Sequence, residues 1–357
     1  VTWEKLFSGT STDVFRSVKE VSGGGYIAAG YTANFSANDS DAYAVRLDQD
    51  GDTMWTYQYN GPQSKKDLFY KVIETSDGGF AFCGYTSSVS GFDDDLLYIK
   101  LNSSGQQQWV KFYGGTGKER GQDIVQTGNG NFTIVGYTTS APAQYYDAFM
   151  LHADGNGDTL WTKIFGSSNY DDANSLKILA DGGYLLGGQR DNPGNGLDQY
   201  LIRTNPTGNV IWTTKLGTLG TDNVESIVVL SDGYMLAGST SLISGGDDDG
   251  YLVKTDTSGA LLWAKMYGDT APDDFHRVES TTDGGFILSG TTSSYGDENP
   301  NIWMVKTNSA GDTLWNRTFG RHNHDHGYSG QQTSDGGYII VGHTGSFGYN
   351  FEESYIA

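Results

Sequence analysis

Tryptophan recurs along the chain at a nearly constant interval, and this repeat constrains the fold more than any other feature. Neighbouring positions are 51 to 54 residues apart. The series is Trp3, Trp55, Trp109, Trp161, Trp212, Trp263 and Trp315. A fixed period of this length means that one supersecondary unit is repeated and that neighbouring units bury a shared core.

Two further landmarks recur seven times with the same period. One is a glycine-rich turn before an aromatic residue, such as DGGF at Asp77–Phe80 and DGGY at Asp335–Tyr338. The other is Gly-Tyr-Thr or a relative, such as Gly30–Thr32 and Gly290–Thr292. Three independent series in step leave seven copies of one unit as the only reasonable interpretation.

Each unit is predicted to contain four short strands. In the second unit these are Asp67–Thr75, Phe80–Thr86, Leu96–Leu101 and Gln107–Tyr113. We expect Ser76–Gly79 to form a two-residue hairpin in which glycine supplies a positive φ. No window has helical periodicity, and a period of about 50 residues with four strands is typical of a β-propeller.

The two ends of the chain predict how the ring is closed. Val1–Phe7 matches the fourth-strand pattern, and Glu353–Ala357 matches the third-strand pattern. The N-terminal strand therefore completes the last blade of a single all-β domain, a seven-bladed β-propeller spanning residues 1–357. We expect the natural polypeptide to continue beyond Ala357. The blades are predicted at about 13–59, 67–113, 119–165, 171–216, 222–267, 273–319, and 325–357 plus 1–7.

Composition excludes several classes of protein. The net charge of −21 repels phosphate backbones, so nucleic acid is not an expected partner. No apolar run reaches 18 residues, which argues against a membrane span. The single cysteine, Cys83, excludes an intrachain disulfide, and its apolar neighbours predict a buried, inert thiol.

The repeat resembles one found in secreted proteins of Bacteroidota and in some archaeal surface proteins. Gly311–Trp315 and Asp335–Thr344 carry the resemblance, and Gly259–Trp263 is similar to the tryptophan-docked turn of PQQ-type propellers. The resemblance implies an extracellular or outer cell-surface location, often as cargo of type IX secretion. It does not imply quinone chemistry, because the PQQ enzymes use a vicinal disulfide that one cysteine cannot form.

Several columns of the repeat are best explained by structure. We expect the seven tryptophans, and also Trp303, to pack in the core. Two acidic columns are expected to accept backbone N–H groups at loops, and the alternative for both is a ring of calcium ligands. The first column is Asp13, Asp67, Glu119, Asp171, Asp222, Asp273 and Asp325. The second column is Asp41, Asp95, Asp147, Asp198, Asp249, Asn301 and Glu353.

One column breaks the repeat and is our first candidate for ligand binding. It lies three residues into the first strand of each blade, where we expect it to surround the mouth of the central channel. Its mixture of cationic, amide, acidic and aromatic groups suits sugars or a peptide, and the alternative is a solvated channel without a ligand. The column is Arg16, Tyr70, Gln122, Asn174, Glu225, His276 and Tyr328.

Two further sets of residues are candidates on the loops. His322, His324 and His326 alternate in an extended segment, which suits zinc, copper or nickel, although an incidental cluster is the alternative. The longer loops carry aromatic residues for stacking on a sugar or a partner protein. These aromatic residues are Phe92, Tyr145 and Tyr146. The candidate calcium ligands in two acidic runs are Asp93, Asp95, Asp247 and Asp249.

These features favour a non-catalytic binding or interaction module over an enzyme. The expected partner is a cell-surface protein or a polysaccharide. No cofactor is expected, and calcium is the alternative. The main alternative is a polysaccharide lyase or glycoside hydrolase with its site at the channel mouth. Its acid–base set would be Arg16, Glu225, His276 and Tyr328. A purely structural surface protein is the third hypothesis.

Overall fold

The computed structural model describes residues 3–7, 11–33, 39–89, 93–140, 145–166, 169–193, 196–217, 220–241, 247–296, 299–346 and 352–357. In these ranges every regular element is a β-strand, and 28 strands form seven four-stranded antiparallel sheets. No helix with the length and apolarity of a membrane span occurs in the same ranges. The fold is a seven-bladed β-propeller, as the sequence predicts.

The first three blades follow the chain in simple meander order. Blade 1 contains β2 (Asp13–Glu20), β3 (Tyr26–Thr32), β4 (Asp41–Leu47) and β5 (Thr53–Tyr59). Blade 2 contains β6 (Asp67–Glu74), β7 (Phe80–Thr86), β8 (Asp95–Leu101) and β9 (Gln107–Tyr113). Blade 3 contains β10 (Glu119–Gln126), β11 (Phe132–Thr138), β12 (Asp147–Ala153) and β13 (Thr159–Phe165).

The next three blades repeat this order. Blade 4 contains β14 (Ser175–Ile178), β15 (Tyr184–Asn192), β16 (Gly196–Thr204) and β17 (Val210–Leu216). Blade 5 contains β18 (Ser226–Leu230), β19 (Gly233–Thr240), β20 (Asp249–Thr255) and β21 (Leu261–Tyr267). Blade 6 contains β22 (Asp273–Ser280), β23 (Phe286–Thr292), β24 (Asn301–Thr307) and β25 (Thr313–Phe319).

Blade 7 combines both ends of the chain, in the sheet order β1-β28-β27-β26. Its strands are β1 (Lys5–Phe7), β26 (Asp325–Gln332), β27 (Tyr338–Thr344) and β28 (Glu353–Ile356). Strand β1 pairs antiparallel with β28, with Leu6 opposite Tyr355. The predicted completion of the last blade by the N-terminal strand is therefore confirmed.

The chain contains two compact units. The N-terminal unit is Val1–Ala173 with Asn350–Ala357, and the C-terminal unit is Asn174–Tyr349. Each has hydrophobic cores between neighbouring blades. In the N-terminal unit Ile27 and Ala44 pack with Phe69 and Phe82, and in the C-terminal unit Phe275 belongs to a similar cluster.

The hairpin turns differ in one detail from the prediction. The turn after β6 has a three-residue loop, because the Thr75 N–H donates to Gly79 O at 2.9 Å and the Gly78 N–H to Thr75 O at 2.8 Å. Gly78 has φ of +76° and is therefore the residue in left-handed conformation that such a loop requires. The predicted two-residue hairpin is thus wrong, whereas the predicted positive φ is correct.

All seven repeated tryptophans are half-buried rather than fully enclosed in the core. Trp55 and Trp109 pack against the cores on either side of blade 2, and Trp263 packs in the C-terminal unit. Trp303 is only 1% exposed and stacks on Phe275 with ring centroids 4.7 Å apart, which confirms its predicted core position.

Candidate binding site

The candidate column coincides with a β-bulge. In blade 1 the pairing passes from Phe15–Gly30 directly to Ser17–Ala29, so Arg16 is an extra residue in the ladder. A bulge of this kind turns a side chain away from the regular alternation of the strand and is common beside binding sites. The bulged residues in the described strands are Arg16, Tyr70, Gln122, His276 and Tyr328.

Blades 4 and 5 reach a related arrangement without a long first strand. Their first strands begin at Ser175 and Ser226, immediately after Asn174 and Glu225. The Asn174 N–H donates to Gly187 O at 2.8 Å, and the Glu225 N–H donates to Ala237 O at 2.9 Å. All seven residues of the column are half-buried.

In the N-terminal unit, arginine and tyrosine side chains from the first two strands of neighbouring blades pack together. The guanidinium of Arg120 lies 4.0 Å from the centroid of the Tyr85 ring, and its Nη1 is 3.4 Å from the Tyr70 hydroxyl. Arg16 lies 5.9 Å from the Tyr70 ring centroid. We call the whole set the tyrosine–arginine row. Its members are Arg16, Tyr70, Tyr85, Arg120, Tyr137 and Tyr146.

The row continues into blade 3 through tyrosines in edge-to-face and tilted contact. The rings of Tyr137 and Tyr146 are 4.9 Å apart, and Tyr146 is 5.1 Å from Tyr170. Tyr145, beside them, is 61% exposed. The two tyrosines predicted to be exposed therefore differ, because Tyr146 is anchored among rings while Tyr145 faces solvent. Phe92, the other predicted aromatic, lies outside the described residues.

The electrostatics of the row are set by one buried carboxylate. Asp94 accepts hydrogen bonds from Arg120 Nε at 2.9 Å and from Ser87 Oγ at 2.6 Å. Burial raises the pKa of Tyr85 and of Tyr137, so both phenols stay neutral at physiological pH. Burial alone would lower the pKa of Arg120, but Tyr70, Tyr137 and Asp94 raise it, and the guanidinium stays charged.

The C-terminal unit has a row of different chemistry, built from histidine. His276 is 5.1 Å from Tyr328, Tyr328 is 5.6 Å from His343, and His343 is 4.9 Å from His326, all between ring centroids. His276 Nε2 is 3.5 Å from Asp274 Oδ1. We call these four residues the histidine–tyrosine row: His276, Tyr328, His343 and His326.

The predicted metal ligands are not gathered into one group. His322 and His324 are exposed in the loop before β26, whereas His326 lies within that strand against His343. Across the described ranges, no three His, Cys, Asp or Glu side chains are arranged to hold a metal ion.

The predicted calcium ligands lie in two separate places. Asp95 is buried and Asp93 half-buried at the start of β8. Asp247 and Asp249 line an open cavity of about 340 Å³ together with Asp269, within the C-terminal unit. Burial raises the pKa of Asp249, and the carboxylates of Asp273 and Asp247 raise it further.

Three members of the acidic column that opens the first strands accept backbone N–H groups at loops, as we expect for the column. Asp67 accepts a hydrogen bond from the Gly61 N–H at 2.7 Å, and Glu119 accepts one from the Gly115 N–H at 2.8 Å. Asp325 accepts from the Arg321 N–H at 3.1 Å. The threonine of the Gly-x-Thr landmark contributes too, since Thr138 Oγ1 donates to Glu119 at 2.5 Å.

A basic column in the third strands escaped the sequence analysis. Lys100 Nζ is 3.0 Å from Asp77 in the glycine-rich turn, and its side chain is only 5% exposed. Lys306 makes the same contact with Asp283. The sequence does carry a sign of this column, because a basic residue recurs one position before the end of the third strand. The column is Arg46, Lys100, His152, Arg203, Lys254 and Lys306.

Similarity to known proteins identifies the class of protein but not its role. No protein-family model matches the chain. The propeller domain of the Trilobed protease from Pyrococcus furiosus has a TM-score of 0.50 at 10% identity, over 94% of this chain and 92% of that one. The WD40 domain of Neurospora crassa Pan2 has a TM-score of 0.55 at 10% identity, and the similarity covers 92% of this chain and 88% of that domain. A protein of unknown function from Bacteroides caccae has a TM-score of 0.50 at 11% identity, and the similarity covers 87% of this chain and 94% of that protein.

One curated sequence is also similar over part of the chain. It is the regulatory protein FlaEY of Caulobacter vibrioides, which is 24% identical over 163 residues. The match spans 38% of this chain and 17% of FlaEY. At these identities the similarity shows the fold alone: the protein is a seven-bladed β-propeller with β-propeller structural neighbours.

Proposed function

We propose that this chain is a non-catalytic binding module, which takes a carbohydrate or a protein at the blade ends that carry the bulges. The bulge is the observation that supports the proposal. It repeats the same backbone irregularity in β2, β6, β10, β22 and β26, while the residue at the bulge changes from blade to blade. A position kept only for packing would keep one residue type, as the tryptophan column does.

We also propose that the protein acts outside the cell or on the outer cell surface. The support is the resemblance of its repeat to those of secreted Bacteroidota and archaeal surface proteins. The net charge of −21 and the single cysteine suit such a setting. Fractionation of the native host, with the protein found in the medium or the outer envelope, is the expected result; a cytoplasmic pool alone would contradict it.

An enzyme that cleaves polysaccharides is the alternative, and one contact favours it. His276 lies between Tyr328 and Asp274 in the C-terminal unit, so a base and a phenol are neighbours there. Of the other two residues in the predicted acid–base set, Arg16 belongs to the N-terminal unit and Glu225 to blade 5 of the C-terminal unit.

The test is a native affinity gel run against a panel of polysaccharides, with the recovered glycans sized afterwards. Retarded protein with intact glycan is the expected result. Shortened glycan would contradict the non-catalytic proposal and make His276→Ala the first variant to assay. Migration unchanged by every glycan would leave only the protein-binding form of the proposal.

A further inference from the structure

We infer that the tyrosine–arginine row is a subsite on which sugar rings of an uncharged polysaccharide stack. The inference rests on the proposed binding function, and it specifies the class of ligand and the residues that bind it. It concerns the N-terminal unit only. Three of the residues that form it, Tyr85, Arg120 and Tyr137, are not in the bulge column and were not candidates from sequence.

The plane of Arg120 is fixed before any ligand arrives. Its Nε and Nη2 both donate to Asp94 Oδ2, at 2.9 and 2.5 Å, and Nη1 is 3.4 Å from the Tyr70 hydroxyl. The guanidinium lies 4.0 Å from the Tyr85 centroid, while 26% of the Arg120 side chain remains exposed. A flat group that is already held at Nε, Nη2 and Nη1 loses little entropy when a ring packs on it.

The charge around Arg120 favours an uncharged ligand at that position. Asp94 is 7% exposed and compensates Arg120, so the pair has no net charge to offer an anion. The edge of Arg120 formed by Nε and Nη2, which could otherwise bind a carboxylate or sulfate, is already occupied by Asp94. The protein as a whole carries −21 charges and repels acidic polysaccharides.

The geometry also favours a sugar over a peptide. Extended peptides commonly bind by adding a strand to a free sheet edge. Strands β6 and β10 are edge strands of their sheets, but the contacts that define the row are all between side chains. The row offers the half-buried rings of Tyr70 and Tyr146 and the guanidinium of Arg120. Tyr85 and Tyr137 are buried in contact with these two rings. This combination suits a pyranose, whose C–H face is apolar and whose rim carries hydroxyls.

The experiment compares variants of the full chain in native affinity gels containing hydroxyethylcellulose, galactomannan, alginate or polygalacturonate. We expect retardation by at least one of the two uncharged polymers. Tyr70→Ala should weaken that binding by about tenfold, because one stacking contact is lost, whereas Tyr70→Phe should keep most of it. Arg120→Lys should also weaken it, since lysine keeps the charge but not the plane.

Phe112→Ala is the matched control. Phe112 is an aromatic residue of the same blade, 39% exposed on the outermost strand β9 and outside the row. Its loss should leave retardation unchanged. Thermal melts of all four variants show whether each is folded, and Tyr70→Phe with Arg120→Lys decides the question if Tyr70→Ala does not fold.

Two results would overturn the inference and leave the binding function standing. One is retardation that Tyr70→Ala and Arg120→Lys do not change. The other is retardation by alginate or polygalacturonate alone. Absence of retardation by all four polymers would also overturn it. Shortened glycan, in contrast, would contradict the non-catalytic function whatever the variants do, so the two failures are distinguishable.

Discussion

The indole of Trp55 lies against Gly105 of the next blade, and the contact leaves no room for a side chain there. Gly105 has φ of +78°, and a Cβ built on it would be 2.7 Å from Cδ2 of Trp55. The Trp55 Nε1 donates to Ser103 O at 3.3 Å in the same turn. The tryptophan series and the glycine of the following turn are therefore two halves of one inter-blade contact.

Gly105→Ala should destabilise the protein by about 3 kcal/mol. A left-handed backbone costs a non-glycine residue about 1–2 kcal/mol, and displacing a packed indole adds roughly 1–3 kcal/mol. The measurement is the free energy of unfolding from urea titrations, followed by circular dichroism.

Gly78→Ala is the control for backbone strain alone. Gly78 has φ of +76°, and a Cβ built on it meets no atom within 4 Å. Its replacement should cost only the backbone term, about 1–2 kcal/mol. Equal losses for the two variants would show that Trp55 adds nothing to the constraint at Gly105.

Asp77→Asn should remove a stabilising contact that wild type itself loses at acid pH. Burial opposes ionisation, but hydrogen bonds from Thr75, Lys100 and the Gly79 N–H lower the pKa of Asp77 to about 2. The folded pKa is below the unfolded value, so the carboxylate stabilises the protein above about pH 4, and this contribution disappears as the pH falls toward 2.

The expected cost of Asp77→Asn at pH 7 is about 1 kcal/mol, because Asp77 is largely exposed and its charge is screened. Urea midpoints at pH 7, 4 and 2 measure it, and the difference from wild type should shrink over the last interval. Asp50→Asn, in an exposed turn, should change stability by less than about 0.5 kcal/mol. A difference that persists at pH 2 would mean that the charge of Asp77 is not its source.

Asp67→Asn should show the opposite dependence on pH. Burial raises the pKa of Asp67 to about 6, although Thr86, the Gly61 N–H and Ser88 act to lower it. The folded state therefore binds this proton more tightly than the unfolded state, and protonation stabilises the fold as the pH falls from about 6 to about 4. Wild type should gain about 1 kcal/mol relative to Asp67→Asn between pH 7 and 5. Parallel stability curves for the two proteins would contradict the raised pKa.

The blades were predictable because each is specified locally. Gly78 and its counterparts allow only a turn, and the alternation around Trp55 and Trp109 allows only a strand. In blade 2 the predicted second strand, Phe80–Thr86, has the observed bounds, and the third begins one residue earlier, at Asp95. The loop length of the hairpin was wrong because positive φ at glycine is shared by two- and three-residue loops.

The candidate site was less predictable because it depends on register and on neighbouring blades. The bulge at Tyr70 arises from how β6 pairs with β7, which no single strand encodes. Arg120 belongs to the row only because blade 3 brings it to Tyr85 and Asp94 of blade 2. In the sequence, Arg120 is simply the residue that follows Glu119 of the acidic column. Lys100 was missed for a related reason, since a lysine in a strand is normally read as exposed.

The thiol of Cys83 should resist modification until blade 2 opens. The side chain is fully buried in β7, and burial, followed by the charge of Asp123, raises its pKa well above the ordinary range. Both effects suppress the reactive thiolate. With a chromogenic disulfide reagent at pH 8, we expect native protein to react at least about a hundredfold more slowly than protein in concentrated urea. Ser104→Cys in a Cys83→Ala background, at an exposed turn of the same blade, should react at once. Fast labelling of native Cys83 would mean that β7 opens readily. It would contradict a rigid pairing of β7 with β6, the strand that carries Tyr70.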